Sequence, residues 1–90
     1  MEEAPTADAK LRRAKTDLFA EVLEQCKHST AKTRVMYRVA LSHPAITDLL
    51  DYLQKLEMIE LNKETKRYTT TEKGIEYLKR YQQLQELLKS

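Results

Sequence analysis

Glycine is almost missing from this chain: one in 90 residues, beside only two prolines. All-β folds use glycine in their turns, so this scarcity argues against them. It points to helices joined by few, tight connections. Tryptophan is absent and phenylalanine occurs once. A single cysteine, Cys26, excludes an internal disulfide and any multi-cysteine metal site. Apolar runs stop at two or three residues, far short of the roughly 20 that a membrane helix needs. The opening MEEAPTADAK has acids and no apolar stretch. It does not read as a signal peptide, which sets the cytoplasm as the expected location. No Gly-rich phosphate loop occurs, and no nucleophile–base or metal-ligand spacing. His28 and His43 stand alone in cap-like settings. The expectation is a non-enzyme with no cofactor, no metal and no membrane partner.

What is present fits one small domain with a modest core. Hydrophobic residues are 41% and charged residues 33%. The formal net charge is +2 and the pI about 8.7. That falls short of the value above about 9 expected of a strongly basic nucleic-acid binder. The total, however, is a sum of separated blocks. Residues 31–41 carry Lys32, Arg34 and Arg38 and no acid, a net +3. Residues 42–60 carry Asp48, Asp51, Glu57 and Glu60 against Lys55, a net −3. Residues 61–68 return to +2 through Lys63, Lys66 and Arg67 against Glu64.

Apolar spacing then sets the elements. Residues 1–9 hold no large apolar side chain after Met1 and read as a disordered tail. Lys10, Arg12, Arg13 and Lys15 follow, either a solvated face or an arm that touches phosphates. Leu18, Phe19, Val22, Leu23 and Cys26 form one stripe of a 3.6 period, a first helix over about 16–27. Cys26 lies in that stripe and reads as a small buried hydrophobe. His28-Ser29-Thr30 offers N-caps for a second helix, about 31–39, with Ala31, Val35, Met36 and Val39 inward. A third helix starts at Ser42-His43-Pro44, since proline suits a first helical turn. It turns Ile46, Leu49, Leu50, Leu53 and Leu56 inward and Thr47, Asp48, Asp51 and Lys55 outward. The period then changes: 58–62 and 67–70 are short and β-capable, joined by a turn over 62–66. Thr71 caps a last helix, helped by Glu72 in its first turn. Gly74, inside that helix, costs up to about 1 kcal/mol relative to alanine. A glycine there points to a close backbone approach. Tyr77, Tyr81, Leu84 and Leu88, spaced 4, 3, 4, make an a/d seam. The seam serves either to pack on another chain or to cap the same domain.

Three helices, a two-stranded wing and a C-terminal helix give a mainly α, α+β chain in the order of a winged helix-turn-helix. The expected divisions are a tail over 1–9, a winged-helix domain over 10–73 and a C-terminal, candidate dimerisation helix over 74–90. In such domains the third helix enters the major groove, the second crosses the backbone, and the wing touches flanking phosphates.

Four segments carry a further resemblance: Lys32-Thr33-Arg34-Val35-Met36-Tyr37, Ala40-Leu41-Ser42, Leu53-x-x-Leu56-Glu57-Met58-Ile59 and Tyr68-x-x-Thr71-Glu72-Lys73-Gly74. Together they resemble the archaeal small winged helix-turn-helix family of ten-kilodalton, chromatin-type DNA-binding proteins. The likeness runs from about Leu18 to Leu88. It implies a homodimer through an antiparallel coiled coil of the C-terminal helices. It also implies double-stranded DNA as partner, in transcription control or chromatin packing, hence a nucleoid-associated place in the cell. Thr70 stands where this wing motif usually carries an apolar residue.

The candidate DNA contacts are Lys32, Arg34 and Arg38 on the second helix, Lys63, Lys66 and Arg67 on the wing, and Thr47 for bases. The candidate dimer contacts are Tyr77, Tyr81, Leu84 and Leu88. Weak sequence selectivity is expected, because phosphate contacts position without specifying. The acidic third helix supports an alternative: a protein-interaction module with little DNA binding, meeting a basic partner through Asp48 and Asp51.

Overall fold

The computed structural model describes residues 14–89. The expected tail over 1–9 and Lys10, Arg12 and Arg13 lie outside them. Helix α1 spans Lys15–Gln25 and tightens into a 3-10 turn, Cys26–His28. Strand β1 is Thr30–Ala31, helix α2 Lys32–Val39 and helix α3 His43–Lys55. Strands β2 (Ile59–Asn62) and β3 (Arg67–Thr70) form the wing, and helix α4 is Glu72–Lys89. The sequence-derived fold class holds.

The sheet has three strands rather than two, in antiparallel order β1-β3-β2. Thr30 pairs with Tyr68, and Ala31 with Arg67. That pairing takes Thr30 and Ala31 away from the helix. The expected cap at residues 28–30 is therefore replaced by Ala31, whose side chain caps nothing. At α3 the expected cap forms: Ser42 Oγ accepts from the Ala45 N–H at 3.3 Å.

The core draws on every layer. Val22, Leu23 and Cys26 come from α1 and its 3-10 turn, Val35 and Val39 from α2, Ile46, Leu50 and Leu53 from α3. Ile59 and Tyr68 close it from the sheet. Full burial of such a side chain is worth about 1.5–3 kcal/mol. Burial pushes the Cys26 thiol up to about 12, so it behaves as a hydrophobe and not as a nucleophile.

Few glycines do not mean few left-handed turns. Ser29, Ala40, Glu57 and Lys66 all have φ between 57° and 63°. Two of them end the helices of the helix-turn-helix. Leu41 N–H reaches Met36 O (3.1 Å) around Ala40, and Met58 N–H reaches Leu53 O (3.0 Å) around Glu57. These are Schellman turns, where glycine is the usual residue.

The single glycine has another task. Thr71 donates its N–H to Met58 O (3.0 Å) and its hydroxyl to Glu57 O (2.7 Å). Lys73 Nζ donates to Leu56 O at 2.7 Å, a cation at the C-terminal end of α3. Together they clamp the start of α4 onto the end of α3. A Cβ on Gly74 would stand 2.4 Å from Met58 O and 2.5 Å from Thr70 Cγ2. Only glycine fits. Thr70 is buried here because its hydroxyl donates to Leu23 O at 2.6 Å, which explains its place in an otherwise apolar position.

Helix α4 has two halves. Tyr77 donates its hydroxyl to Thr16 O (2.7 Å), and Tyr81 donates to the Asp17 carboxylate on α1. Tyr77 also packs against Phe19, which meets Tyr52 of α3. The division expected at residue 73 thus falls within a helix whose first turns lie on the domain. Beyond Tyr81, Leu84, Leu87 and Leu88 are 53%, 72% and 71% exposed.

Candidate nucleic-acid interface

The basic block of residues 31–41 does not form one surface. Lys32 and Arg34 are two residues apart, which on a helix puts them on different flanks. Lys32 is half-buried on the α3 side, where its Nζ donates to Thr47 Oγ1 at 3.3 Å. Thr47, the residue expected to read bases, is thus held against α2 and is itself half-buried. Arg34 and Arg38 lie on the other flank of α2. There they meet Arg67 and His28 around an open concavity of about 430 Å³.

Arg67 is fixed by a 2.7 Å bond from its guanidinium to Ser29 O. That bond ties the start of β3 to the left-handed turn before β1. Lys63 and Lys66 sit on the wing turn and are exposed. Asn62 holds this turn: its Oδ1 accepts from the N–H of Glu64 (2.9 Å) and Thr65 (3.1 Å), and its carbonyl from Lys66 N–H (2.7 Å). Such an Asx turn lets a wing bend without glycine. The structure therefore brings Arg34, Arg38 and Arg67 together, pairs Lys32 with Thr47, and leaves Lys63 and Lys66 at the wing tip.

The outer face of α3 carries Pro44, Asp48, Asp51 and Lys55, all exposed. Asp51 acts on Tyr68 of β3. Burial first, then the Asp51 carboxylate and Cys26, raise the Tyr68 phenol above its ordinary value. Asp48 borders an apolar concavity of about 350 Å³ between α1 and α3, lined also by Leu18, Phe19, Leu49 and Tyr52.

His28, Ser29 and Thr30 are the residues sequence reasoning missed here. They read as cap candidates, and only the β1–β3 pairing reveals them as one wall of the arginine concavity. The candidate dimer residues fall into two groups. Tyr77 and Tyr81 bond α1 of the same chain, whereas Leu84 and Leu88 face outward. Among the described residues, no group of His, Cys, Asp and Glu is arranged to hold a metal ion. Among the same residues, no helix is long and apolar enough to cross a membrane.

Comparisons with known proteins agree with this architecture. No curated protein matches the chain. Among solved structures it is similar to Sso10a-2, a DNA-binding protein from Sulfolobus solfataricus. The TM-score is 0.76 at 23% identity, covering 86% of this chain and 83% of the other. A family model described as winged helix-turn-helix matches residues 12–89. The chain belongs to the winged helix-turn-helix family.

Proposed function

We propose that this protein binds double-stranded DNA with little sequence selectivity, as a homodimer, in chromatin packing or transcription control. The observation that carries the reading is the cluster of Arg34, Arg38 and Arg67 beside a wing tipped by Lys63 and Lys66. Guanidinium groups match phosphate geometry, and each neutralised phosphate releases counterions. Similarity to Sso10a-2, described as DNA-binding, supports it. Lys32 and Thr47, bonded to each other at the seam of α2 and α3, are secondary contacts in this reading, Lys32 to a phosphate and Thr47 to a base. Asp48 and Asp51 repel phosphates, so the helix usually set in the major groove contributes little attraction here. A protein that grips duplex phosphates this way works on the nucleoid.

The test is a duplex titration against salt. Each lost arginine–phosphate contact should flatten the log–log slope by about one unit. Binding no tighter than about 1 mM at low salt would refute the reading, since even non-specific binders reach ~0.1 mM or better at physiological salt.

The homodimer rests on the last turns of α4. Leu84, Leu87 and Leu88 form an apolar end that a second copy would cover. Tyr77 and Tyr81 donate their hydroxyls to α1, and the seam in this reading is centred on Leu84 and Leu88. Light scattering should give a dimer mass that falls to monomer in Leu84→Glu/Leu88→Glu. An unchanged mass would remove the seam.

One observation favours a second reading, a protein-binding face on α3. Asp48 and Lys15 both line the apolar concavity between α1 and α3, an apolar surface with one charge of each sign that suits a protein segment. Asp48→Asn/Asp51→Asn separates the two readings. It should tighten DNA binding if the carboxylates only repel, and abolish partner binding if they are contacts.

A further inference from the structure

Four of the five tyrosines have a structural task. Tyr68 lies in the core, Tyr52 packs on Phe19, and Tyr77 and Tyr81 bond α1. Tyr37 is 78% exposed. Among the described residues its hydroxyl has no hydrogen-bond partner and its ring no aromatic one. Tyrosine is a weaker helix former than lysine, arginine or glutamine, so α2 itself does not call for it at an exposed position.

The surroundings of Tyr37 point to a ligand. Val35 and Val39 are buried, and Tyr37, two residues from each, stands on the opposite face of α2. Arg34 flanks it one turn earlier, Arg38 adjoins it, and both are exposed. No acid occurs from Gln25 to Thr47. An exposed ring between two guanidiniums combines the two parts of single-strand recognition, cations for phosphates and a π-face for a base. A paired base cannot use that ring, because its neighbours in the stack cover its faces. An unpaired base can.

We infer that the outer face of α2 binds single-stranded DNA, with an unpaired base stacked on Tyr37 and the flanking phosphates held by Arg34 and Arg38. This activity is additional to duplex binding and makes strand-separated DNA a ligand in its own right. The choice of DNA over RNA rests on the DNA-binding reading above; the stacking does not.

The experiment titrates the full chain with three labelled probes: an oligothymidine, an abasic strand of the same length and a blunt-ended duplex. Tyr37→Ala removes the ring and Tyr37→Phe keeps it. The exposure of the position spares the core in both, as circular dichroism would verify. Removing one base–aromatic stack costs about tenfold in affinity. Oligothymidine binding should weaken about tenfold in Tyr37→Ala and be kept in Tyr37→Phe. Its salt slope should not change, because a tyrosine neutralises no phosphate. The abasic strand and the duplex should bind Tyr37→Ala as they bind the parent chain. Oligothymidine binding unaltered in Tyr37→Ala, or an equal loss on the abasic strand, overturns the inference. So does a parent chain that binds no single strand. A duplex that fails to bind beside a Tyr37-dependent oligothymidine complex would refute the duplex reading and leave this one standing.

Discussion

A methyl group at Gly74 has nowhere to go, and the cost can be worked from the contacts. In an open helix Gly→Ala stabilises by about 1 kcal/mol. Here the new Cβ would lie 2.4 Å from Met58 O and 2.5 Å from Thr70 Cγ2. The first contact is backbone and cannot rotate away. Relief requires α4 to move off the end of α3. That movement stretches three bonds: Thr71 N–H to Met58 O, Thr71 hydroxyl to Glu57 O, and Lys73 Nζ to Leu56 O. At about 1 kcal/mol each, their loss outweighs the helix gain and leaves Gly74→Ala about 2 kcal/mol less stable. For a domain of this size, that lowers the melting temperature by roughly 10 °C. Thermal unfolding followed by circular dichroism measures it directly. A melting temperature equal to or above that of the parent chain would refute the argument, because helix propensity would then have outweighed the close approach.

Three further outcomes follow from the same structure. Ala40→Gly relieves a left-handed alanine at the end of α2; it should raise stability by up to about 1 kcal/mol in urea unfolding, and a loss would contradict the strain. Thr70→Val removes the donor to Leu23 O, and should cost about 1–2 kcal/mol despite its better β propensity. The Tyr81 phenol is pushed up to about 12, chiefly by its hydrogen bond to Asp17, then by burial and the Asp17 charge. Its folded value lies above the unfolded value of 10.0. Its contribution is therefore intact below pH 10 and is lost as pH rises toward 12. Tyr81→Phe should flatten that alkaline loss, and an identical pH profile for the variant would deny the bond's role.

Much of this fold was legible because its signals are local and repeated. The stripe from Leu18 to Cys26 and the stripe from Ile46 to Leu53 place α1 and α3, and Ser42 and Thr71 mark two helix starts. Gly74, costly in a helix, pointed to a close approach that the structure locates at Met58 O. Strand β1 gave no signal: two residues acquire strand geometry only from partners 36 and 38 positions away. The left-handed turns hid for a related reason. Ala40, Glu57 and Lys66 are held there by helix-end and hairpin bonds rather than by their own preferences. The site was half legible. Its residue types could be chosen from charge, but the division of Lys32 from Arg34 and Arg38 needed the direction in which α2 faces the core. The spacing of Tyr77 and Tyr81 is the same whether the helix meets its own α1 or another chain. Their hydroxyl bonds to Thr16 and Asp17 place the first half of α4 against its own α1.

The most direct measurement is the salt dependence of duplex binding by the parent chain, Arg34→Gln, Arg38→Gln and Asp48→Asn/Asp51→Asn. If phosphates are gripped by the arginine cluster, each arginine variant should flatten the slope by about one unit, and the aspartate pair should tighten binding. Identical slopes in all four proteins, or a duplex affinity no better than about 1 mM at low salt, would contradict the account.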